Sequence, residues 1–314
     1  MNFRLEESLD WKEVDAFLEE ATGASFFHHS TWLSGLSEIY GMKISALSLR
    51  REGRLRALLP FAERSRWGLR IQESLPFGTY GGPLLAPGEK SELGEHLLEA
   101  ALGRVSGRRV LARVFLKPGD KAELASESLS TYRVDLREGW DEIFTKRFAA
   151  GKRRQVRQAR EAGLVTGESR EDRDLEEYYA LYLANAKRWK LKNPVPLSLL
   201  KHLLKDESHV RLWLARHEGR IVSGMLNFQW GQEEIYWQGS SLEEARNLRP
   251  SALLYAAVLE DACRRNLDYF NLGASPNLPS LARYKMDFGA EEIPCTLLER
   301  EAPWFRRLRS RRKA

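Results

Sequence analysis

The stretch Val210-Arg211-Leu212-Trp213-Leu214-Ala215-Arg216-His217-Glu218-Gly219-Arg220-Ile221-Val222-Ser223-Gly224-Met225-Leu226-Asn227-Phe228 decides how the chain is read. Apolar residues dominate both sides of Glu218-Gly219, and a glycine-containing turn between two such runs is the signature of a β-hairpin. The same chemistry stands 166 residues earlier, where Ser48-Leu49-Arg50-Arg51-Glu52-Gly53-Arg54-Leu55 matches Leu214 to Ile221. That copy is flanked by Ile44–Leu49 and Leu55–Phe61. Two hairpins half a chain apart predict a duplicated domain.

Working outward in the second half, Leu175, Tyr178, Tyr179, Tyr182 and Ala186 share one face of a helix expected over Asp174–Trp189. A second helix, Leu197–Leu204, follows the Asn193-Pro194-Val195-Pro196 break. Strands are expected at Val210–Ala215, Ile221–Trp230 and Glu234–Gly239. Pro250 suits the first position of a helix running to Arg265. A short strand (Leu267–Leu272), a helix (Leu278–Asp287) and a last strand (Ile293–Arg300) complete the order ααβββαβαβ. The first half is a looser copy. Helices are expected at Trp11–Ala21, Thr31–Tyr40 and Glu89–Leu102, and strands at Val110–Leu116 and Tyr132–Leu136, with Lys117–Ser130 as a loop. Gly139–Gly163 is expected to hold the helices that lead into the second domain.

Composition agrees with two ordinary domains. The 314 residues are 43% apolar and 30% charged, enough to bury two cores and too apolar for disorder. No run approaches the ~20 apolar residues of a membrane span. The first residues do not pair a basic region with an apolar one, so no secretory signal is expected. Two cysteines, Cys263 and Cys295, are too few for a disulfide framework, and the expected compartment is the cytoplasm. The net charge of +6 comes from the last eleven residues, which hold six of the 50 Lys and Arg and none of the 44 acids. A second basic cluster runs through Lys146, Arg147, Lys152, Arg153, Arg154, Arg157 and Arg160. Each cluster reads equally as a solvated face or as a contact for a polyanion.

The ααβββαβαβ order resembles the GNAT acyltransferases, in which an amine attacks the carbonyl of a thioester or ester held beside a splayed pair of strands. Several segments are similar, more narrowly, to the Fem-type peptidoglycan aminoacyltransferases. They are Phe26-Phe27-His28-His29-Ser30-Thr31-Trp32-Leu33, Leu75-Pro76 with Tyr80-Gly81-Gly82-Pro83-Leu84, and Arg153 through Ala159-Arg160-Glu161-Ala162-Gly163-Leu164. Lys187-Arg188-Trp189 with Pro194-Val195-Pro196 also fits. So does Phe270-Asn271-Leu272-Gly273, followed by Tyr284-Lys285-Met286-Asp287-Phe288-Gly289. The resemblance implies an α/β fold with mixed sheets, arranged as two tandem GNAT-like domains around an interdomain cleft. The expected bounds are 1–140, 141–300 and a basic tail at 301–314.

The chain departs from these families in two places. CoA-using GNAT proteins often carry glycines in the loop that opens the phosphate-binding helix, because backbone N–H groups must approach the phosphates. The matching segment here is Arg246-Asn247-Leu248-Arg249-Pro250-Ser251-Ala252, where both glycine positions are filled and Pro250 offers no N–H. Fem-type enzymes that bind nucleotide-linked muropeptides often place Lys one turn after the Trp matching Trp32, and this chain has Leu36. The coiled-coil insertion of some relatives is also missing.

Acyl transfer to an amine needs a positioned nucleophile, a polarised carbonyl and a proton route. Through the family match, Lys285 is the expected polarising or phosphate-binding charge, with Tyr284 and Asp287 beside it in the catalytic set. From spacing alone, Lys285 reads rather as a cation on a polar helix face, and the family match reverses that reading. Arg188 is a candidate phosphate clamp. Arg249 and Ser251 stand at the mouth of the Pro250 helix, Trp237 and Gln238 on the third strand, and Tyr80 among the first-half glycines toward the cleft. Glu243 and Glu244 join Asp287 as candidate proton acceptors. No Ser-His-Asp, Cys-His or metal-ligand pattern occurs, so no metal and no permanently bound cofactor are expected.

The expected activity is transfer of an aminoacyl group from aminoacyl-tRNA to an amine of a cell-envelope precursor, lipid-linked or not. The alternatives are acetyl-CoA-dependent N-acetylation of an amino sugar in exopolysaccharide biosynthesis, and a non-catalytic GNAT-like binding module. tRNA and an anionic membrane surface met by residues 304–314 are the expected partners, DNA is not, and a peripheral place at the inner face of the membrane follows.

Overall fold

A computed structural model describes residues 3–118, 127–275 and 278–311. In chain order its strands are β1 (Arg4–Glu6), β2 (Lys43–Arg51), β3 (Arg54–Arg66), β4 (Leu69–Ser74), β5 (Leu84–Leu85), β6 (Arg109–Phe115) and β7 (Glu127–Asp135). They continue as β8 (Val165–Ser169), β9 (Val210–His217), β10 (Arg220–Trp230), β11 (Glu233–Ser241), β12 (Tyr269–Ala274) and β13 (Glu291–Glu301). The helices are α1 (Trp11–Leu18), α2 (Ser30–Tyr40), α3 (Ser91–Gly103), α4 (Trp140–Glu142), α5 (Ala150–Glu161) and α6 (Asp172–Arg188). After them come α7 (Leu197–Leu203), α8 (Pro250–Arg264), α9 (Pro279–Met286) and α10 (Pro303–Arg311).

The chain forms two compact units, residues 1–129 with 294–314, and residues 130–293. The division differs from the expected bounds because the last strand changes units. From Leu297 to Glu301, β13 pairs antiparallel with β6, and Leu298 is fully buried among Leu47, Ala57, Leu59, Leu97 and Val114. Its apolar face completes the first core, so residues 294–314 belong there and not to the second domain. The expected loop at Lys117–Ser130 is strand from Glu127 onward, and 119–126 lie outside the described residues. The expected tail is helical, as α10, with Phe305 packed against Val110, Leu111 and Ala302.

Both hairpins form, with the same local geometry. Glu52 and Gly53 have φ of 52° and 78°, and Glu218 and Gly219 have 50° and 79°. Positive φ at both central residues is the turn that matches the right-handed twist of paired strands. Each hairpin also carries one extra residue on its second strand: Arg56 between the pairs Arg50–Leu55 and Leu49–Ala57, and Val222 between Arg216–Ile221 and Ala215–Ser223. Arg56 and Val222 are again 166 residues apart.

In the second unit the strand order is β7-β12-β11-β10-β9-β8, all antiparallel except β11 with β12. Alternation puts Trp213 and Ala215 on the face covered by α8 and α5, within a core that includes Val156, Leu254, Val258, Phe270 and Phe288. Leu212 and Leu214 point to the other face, where Tyr178 of α6 lies against Leu214 and Gly224. Burial of these side chains contributes roughly 1.5–3 kcal/mol each for the larger ones. Among the described residues no helix is long and apolar enough to cross a membrane.

Candidate active site

The parallel pair β11–β12 holds together only at its start. Glu233, Glu234 and Ile235 pair with Tyr269, Phe270 and Asn271, and the remaining six residues of β11 have no partner on β12. Buried polar groups fix the closed end. Asn227 Nδ2 donates to Glu234 at 2.8 Å, Arg265 pairs with Glu234, and Asn271 Nδ2 donates to Glu233 at 3.2 Å. Asn271 Oδ1 accepts from Thr131 Oγ1 and from the Gly273 N–H, which turns β12 away as Gly273 adopts φ of 75°. Beyond that point the strands part. A parted parallel pair leaves backbone N–H and C=O groups available to a ligand.

A cavity of about 920 Å³ opens at this gap, wholly within the second unit. Tyr236 and Gly239 of β11, Gly224 of β10, and Ser251 and Tyr255 of α8 supply wall residues, together with Tyr284 of α9 and Lys152 of α5. Two glycines make the space: a Cβ at Gly239 would lie 2.6 Å from the Tyr236 hydroxyl, and one at Gly224 would lie 2.5 Å from the Tyr178 ring. Hydroxyls line much of the wall. Ser241 bonds Ser223 and Ser251, each at 2.7 Å, and Ser240 Oγ is buried without a hydrogen-bond partner among the described residues. Burial raises the Tyr236, Tyr255 and Tyr284 phenols above their ordinary range, so all three are neutral hydrogen-bonding groups at neutral pH.

The expected residues fall into three groups. Arg188, Arg249, Ser251 and Tyr284 line the cavity. Arg188 is ion-paired with Glu243, which also meets Arg246 at 3.5 Å. Arg249 stands at φ of 60° and caps α8, directly before Pro250. Left-handed backbone costs a non-glycine residue roughly 1–3 kcal/mol, and such strain collects at functional positions. The loop therefore keeps a conformation suited to glycine while carrying an arginine into the cavity wall.

Lys285 and Asp287 adjoin the wall without lining it. Lys285 is not the exposed cation that helix-face spacing allows. It is 4% exposed, and its Nζ donates to the carbonyls of Gly273 at 2.8 Å and Ala274 at 3.0 Å. Burial pulls its pKa down to about 8. Asp287 is ion-paired with Arg283 at 3.4 Å, and its carbonyl accepts the Ala149 N–H.

The remaining three lie elsewhere. Trp237 and Gln238 do not line the cavity. Trp237 is an extra residue on β11, between the pairs Asn227–Tyr236 and Leu226–Gln238, and its ring packs on Phe228 at 5.1 Å. Gln238 Oε1 accepts from Tyr178 at 3.4 Å. The bulge shifts the alternation beyond Tyr236. Tyr80 is 3% exposed in the first unit, packed on Phe27 and Phe115.

Lys152, Tyr236, Ser240 and Tyr255 line the cavity without having been singled out by the sequence reading. For Lys152 a signal existed. Lys152, Val156 and Ala159 stand at i, i+4 and i+7 and are the buried stripe of α5, so this lysine occupies an apolar-face position inside a basic run.

Comparison with known proteins agrees with this geometry. Residues 146–286 match the family model for the acetyltransferase (GNAT) domain. A comparison with curated protein sequences returns no match. Among solved structures, the chain is similar to FemX, with a TM-score of 0.68 and 11% identity over 94% of this chain and 96% of that one. It is also similar to the C-terminal domain of a putative lysylphosphatidylglycerol synthetase from Agrobacterium fabrum (TM-score 0.62, 11% identity, 91% and 90% covered). A tandem GNAT protein from the clavulanic acid biosynthesis pathway gives 0.55 at 15% identity, with 96% and 98% covered. The fold is thus that of a tandem GNAT protein, and residues 146–286 carry the match to an acetyltransferase (GNAT) domain.

Proposed function

We propose that this acyltransferase moves an aminoacyl group from aminoacyl-tRNA to an amine of a cell-envelope precursor. The observation that carries the reading is the cationic mouth of the cavity at a phosphate loop without glycines. Arg188, Arg246 and Arg249 stand where a donor enters, and Pro250 removes one of the N–H groups on which a CoA pyrophosphate would rest. Arginine forks meet phosphates of an extended backbone well. In the reaction the acceptor amine bonds to the donor's carbonyl carbon, the ester C–O bond breaks, and the proton lost by the amine ends on the departing ribose oxygen of the tRNA, leaving an amide and a free hydroxyl. Tyr236, Tyr255 and Tyr284 supply neutral hydroxyls, while Lys285 pins the turn at Gly273 and places a buried positive charge near the end of the gap. In this scheme Lys285 is a positioning residue.

A second reading, acetyl-CoA-dependent acetylation of an amino sugar, is favoured by one observation. The left-handed backbone at Arg249 keeps the shape of a glycine loop. Calorimetry separates the two. Charged tRNA should bind with an affinity that falls steeply as salt rises, because phosphate contacts release counterions. Tight, stoichiometric binding of acetyl-CoA at moderate salt, with no binding of charged tRNA, selects the second reading.

We assign α10 to an anionic leaflet. Trp304 and Leu308 are one helical turn apart and 44% and 51% exposed, beside the exposed Arg306 and Arg307. Each cation near such a surface contributes ~1 kcal/mol. Removing residues 303–314 should abolish sedimentation with phosphatidylglycerol vesicles, and unchanged sedimentation refutes the assignment.

A further inference from the structure

The buried stripe of α5 contains a charge. Lys152 is 6% exposed, and among the described residues it makes no hydrogen bond or ion pair. Its ammonium stands 3.7 Å above the centre of the Tyr284 ring and 4.9 Å from that of Phe288. A cation over an aromatic face gains roughly 0.5–2 kcal/mol, less than the several kcal/mol lost when an ammonium leaves water. Burial is the main cause that lowers its pKa; the charge of Asp287 opposes it, and that of Arg249 adds to the lowering. A lysine kept there costs stability in the empty protein. A methionine would fill the same stripe without that cost.

The cavity that Lys152 lines is short of negative charge. Lys152, Arg188, Arg246 and Arg249 face a single carboxylate, Glu243, which is already paired with Arg188 and Arg246. Arg188 and Arg246 stand with Glu243, whereas Lys152 stands with Tyr284. A buried cation without a counter-ion, in a chamber short of negative charge, is complementary to an oxyanion, which accepts from it.

We propose that Lys152 is the anchor of an inner anion subsite that takes one carboxylate or phosphate group of the molecule bound in this cavity. Unlike Arg188 and Arg246, which are held by Glu243, Lys152 has no carboxylate paired to it among the described residues. The subsite therefore selects an acceptor or donor bearing an acidic group close to the transferred acyl group, and disfavours a neutral one. The inference rests on the acyltransferase reading only for what the anion belongs to.

The test reads binding and not transfer, so failure of the proposed activity leaves it unaffected. Sodium acetate and inorganic phosphate are titrated separately into the full chain, with chloride holding the ionic strength constant, and melting temperature and heat are followed. Wild type should show a saturable rise with at least one anion. Phosphate alone identifies a phosphoryl group, and acetate alone a carboxylate. Lys152→Met should melt at or above the wild-type temperature without anion and bind the effective anion about tenfold more weakly or worse. Lys152→Arg should retain most of the binding. Lys152→Gln carries the same expectation as Lys152→Met if the apolar variant does not fold. Absence of a saturable rise in wild type, or equal binding by wild type and both neutral variants, overturns the proposal.

Discussion

The two units start from the same hairpin and treat the next parallel pair in opposite ways. In the first, β4 pairs with β6 from Arg70 to Ser74, which is nearly all of β4. The space beyond is closed by the chain itself. The Gly81 N–H donates to the Phe115 carbonyl at 2.7 Å and the Gly82 N–H to Ser74 Oγ at 3.3 Å. In the second, β11 and β12 pair over three residues and then separate around a cavity. A polypeptide segment occupies one gap, and the other is left for a ligand. The duplicated fold thus supplies two slots of one design, and side-chain content decides which is a site. The closing segment needs glycine, whereas the open slot needs hydroxyls and cations.

The largest effect should come from disturbing the closed slot. A Cβ at Gly81 would lie 2.0 Å from the Ser74 carbonyl oxygen, backbone against backbone. Gly81→Ala should destabilise the first unit by about 4 kcal/mol or more, read as loss of its melting transition or failure to fold. A melting curve like that of wild type would mean that this segment does not close the gap.

In the open slot, Lys285→Met should lower single-turnover transfer by ~10²-fold, with a much smaller change in melting. The pH profile separates charge from packing. Because the folded pKa of about 8 lies below the ordinary 10.5, the unfolded chain binds more protons between those values. The stability contributed by this group therefore rises as pH climbs through that window, and it is lost as pH falls through about 8. Lys285→Met should lack that rise. Turnover should behave in the opposite way and fall above about pH 8 as the charge is lost, while Lys285→Arg moves the fall to higher pH. A flat wild-type profile across this range would remove the charge from the mechanism.

The shared turn should respond equally in both units. Gly53→Ala and Gly219→Ala each place a Cβ at positive φ with open space around it, so the cost is that of backbone strain, about 1 kcal/mol each. Clearly unequal shifts in two separately resolved melting transitions would break the equivalence. The smallest effect is expected at Arg249→Gly. Relief of left-handed strain offsets the added freedom of the unfolded chain, leaving melting within a few tenths of a kcal/mol. Donor binding should weaken because the arginine leaves the wall. Unchanged donor affinity would place the donor phosphates elsewhere.

Local chemistry made the hairpins legible. Glu-Gly between apolar runs is a turn wherever it stands, because only the few residues around it determine φ and strand twist. The helices α6 and α8 were legible for a similar reason, since their apolar stripes and Pro250 act within one or two turns. Lys285 was singled out through its motif, but its environment was not legible. Whether a lysine at a helix end meets water or the carbonyls of Gly273 and Ala274 depends on a strand that ends eleven residues earlier. Trp237 shows the opposite failure, because one extra residue in β11 reverses which face the following side chains occupy.

The sequence by itself determined the duplicated α/β architecture, the basic carboxyl-terminal segment and the degenerate phosphate loop, because each is written in neighbouring residues or in a repeat. Only the tertiary structure decided that β13 returns to the first core, that β11 and β12 part after Ile235, and that Lys152 meets Tyr284 across 132 residues of chain. These depend on which surfaces remain to be buried once the elements have formed. That quantity belongs to packing between distant segments, and no short window of residues contains it.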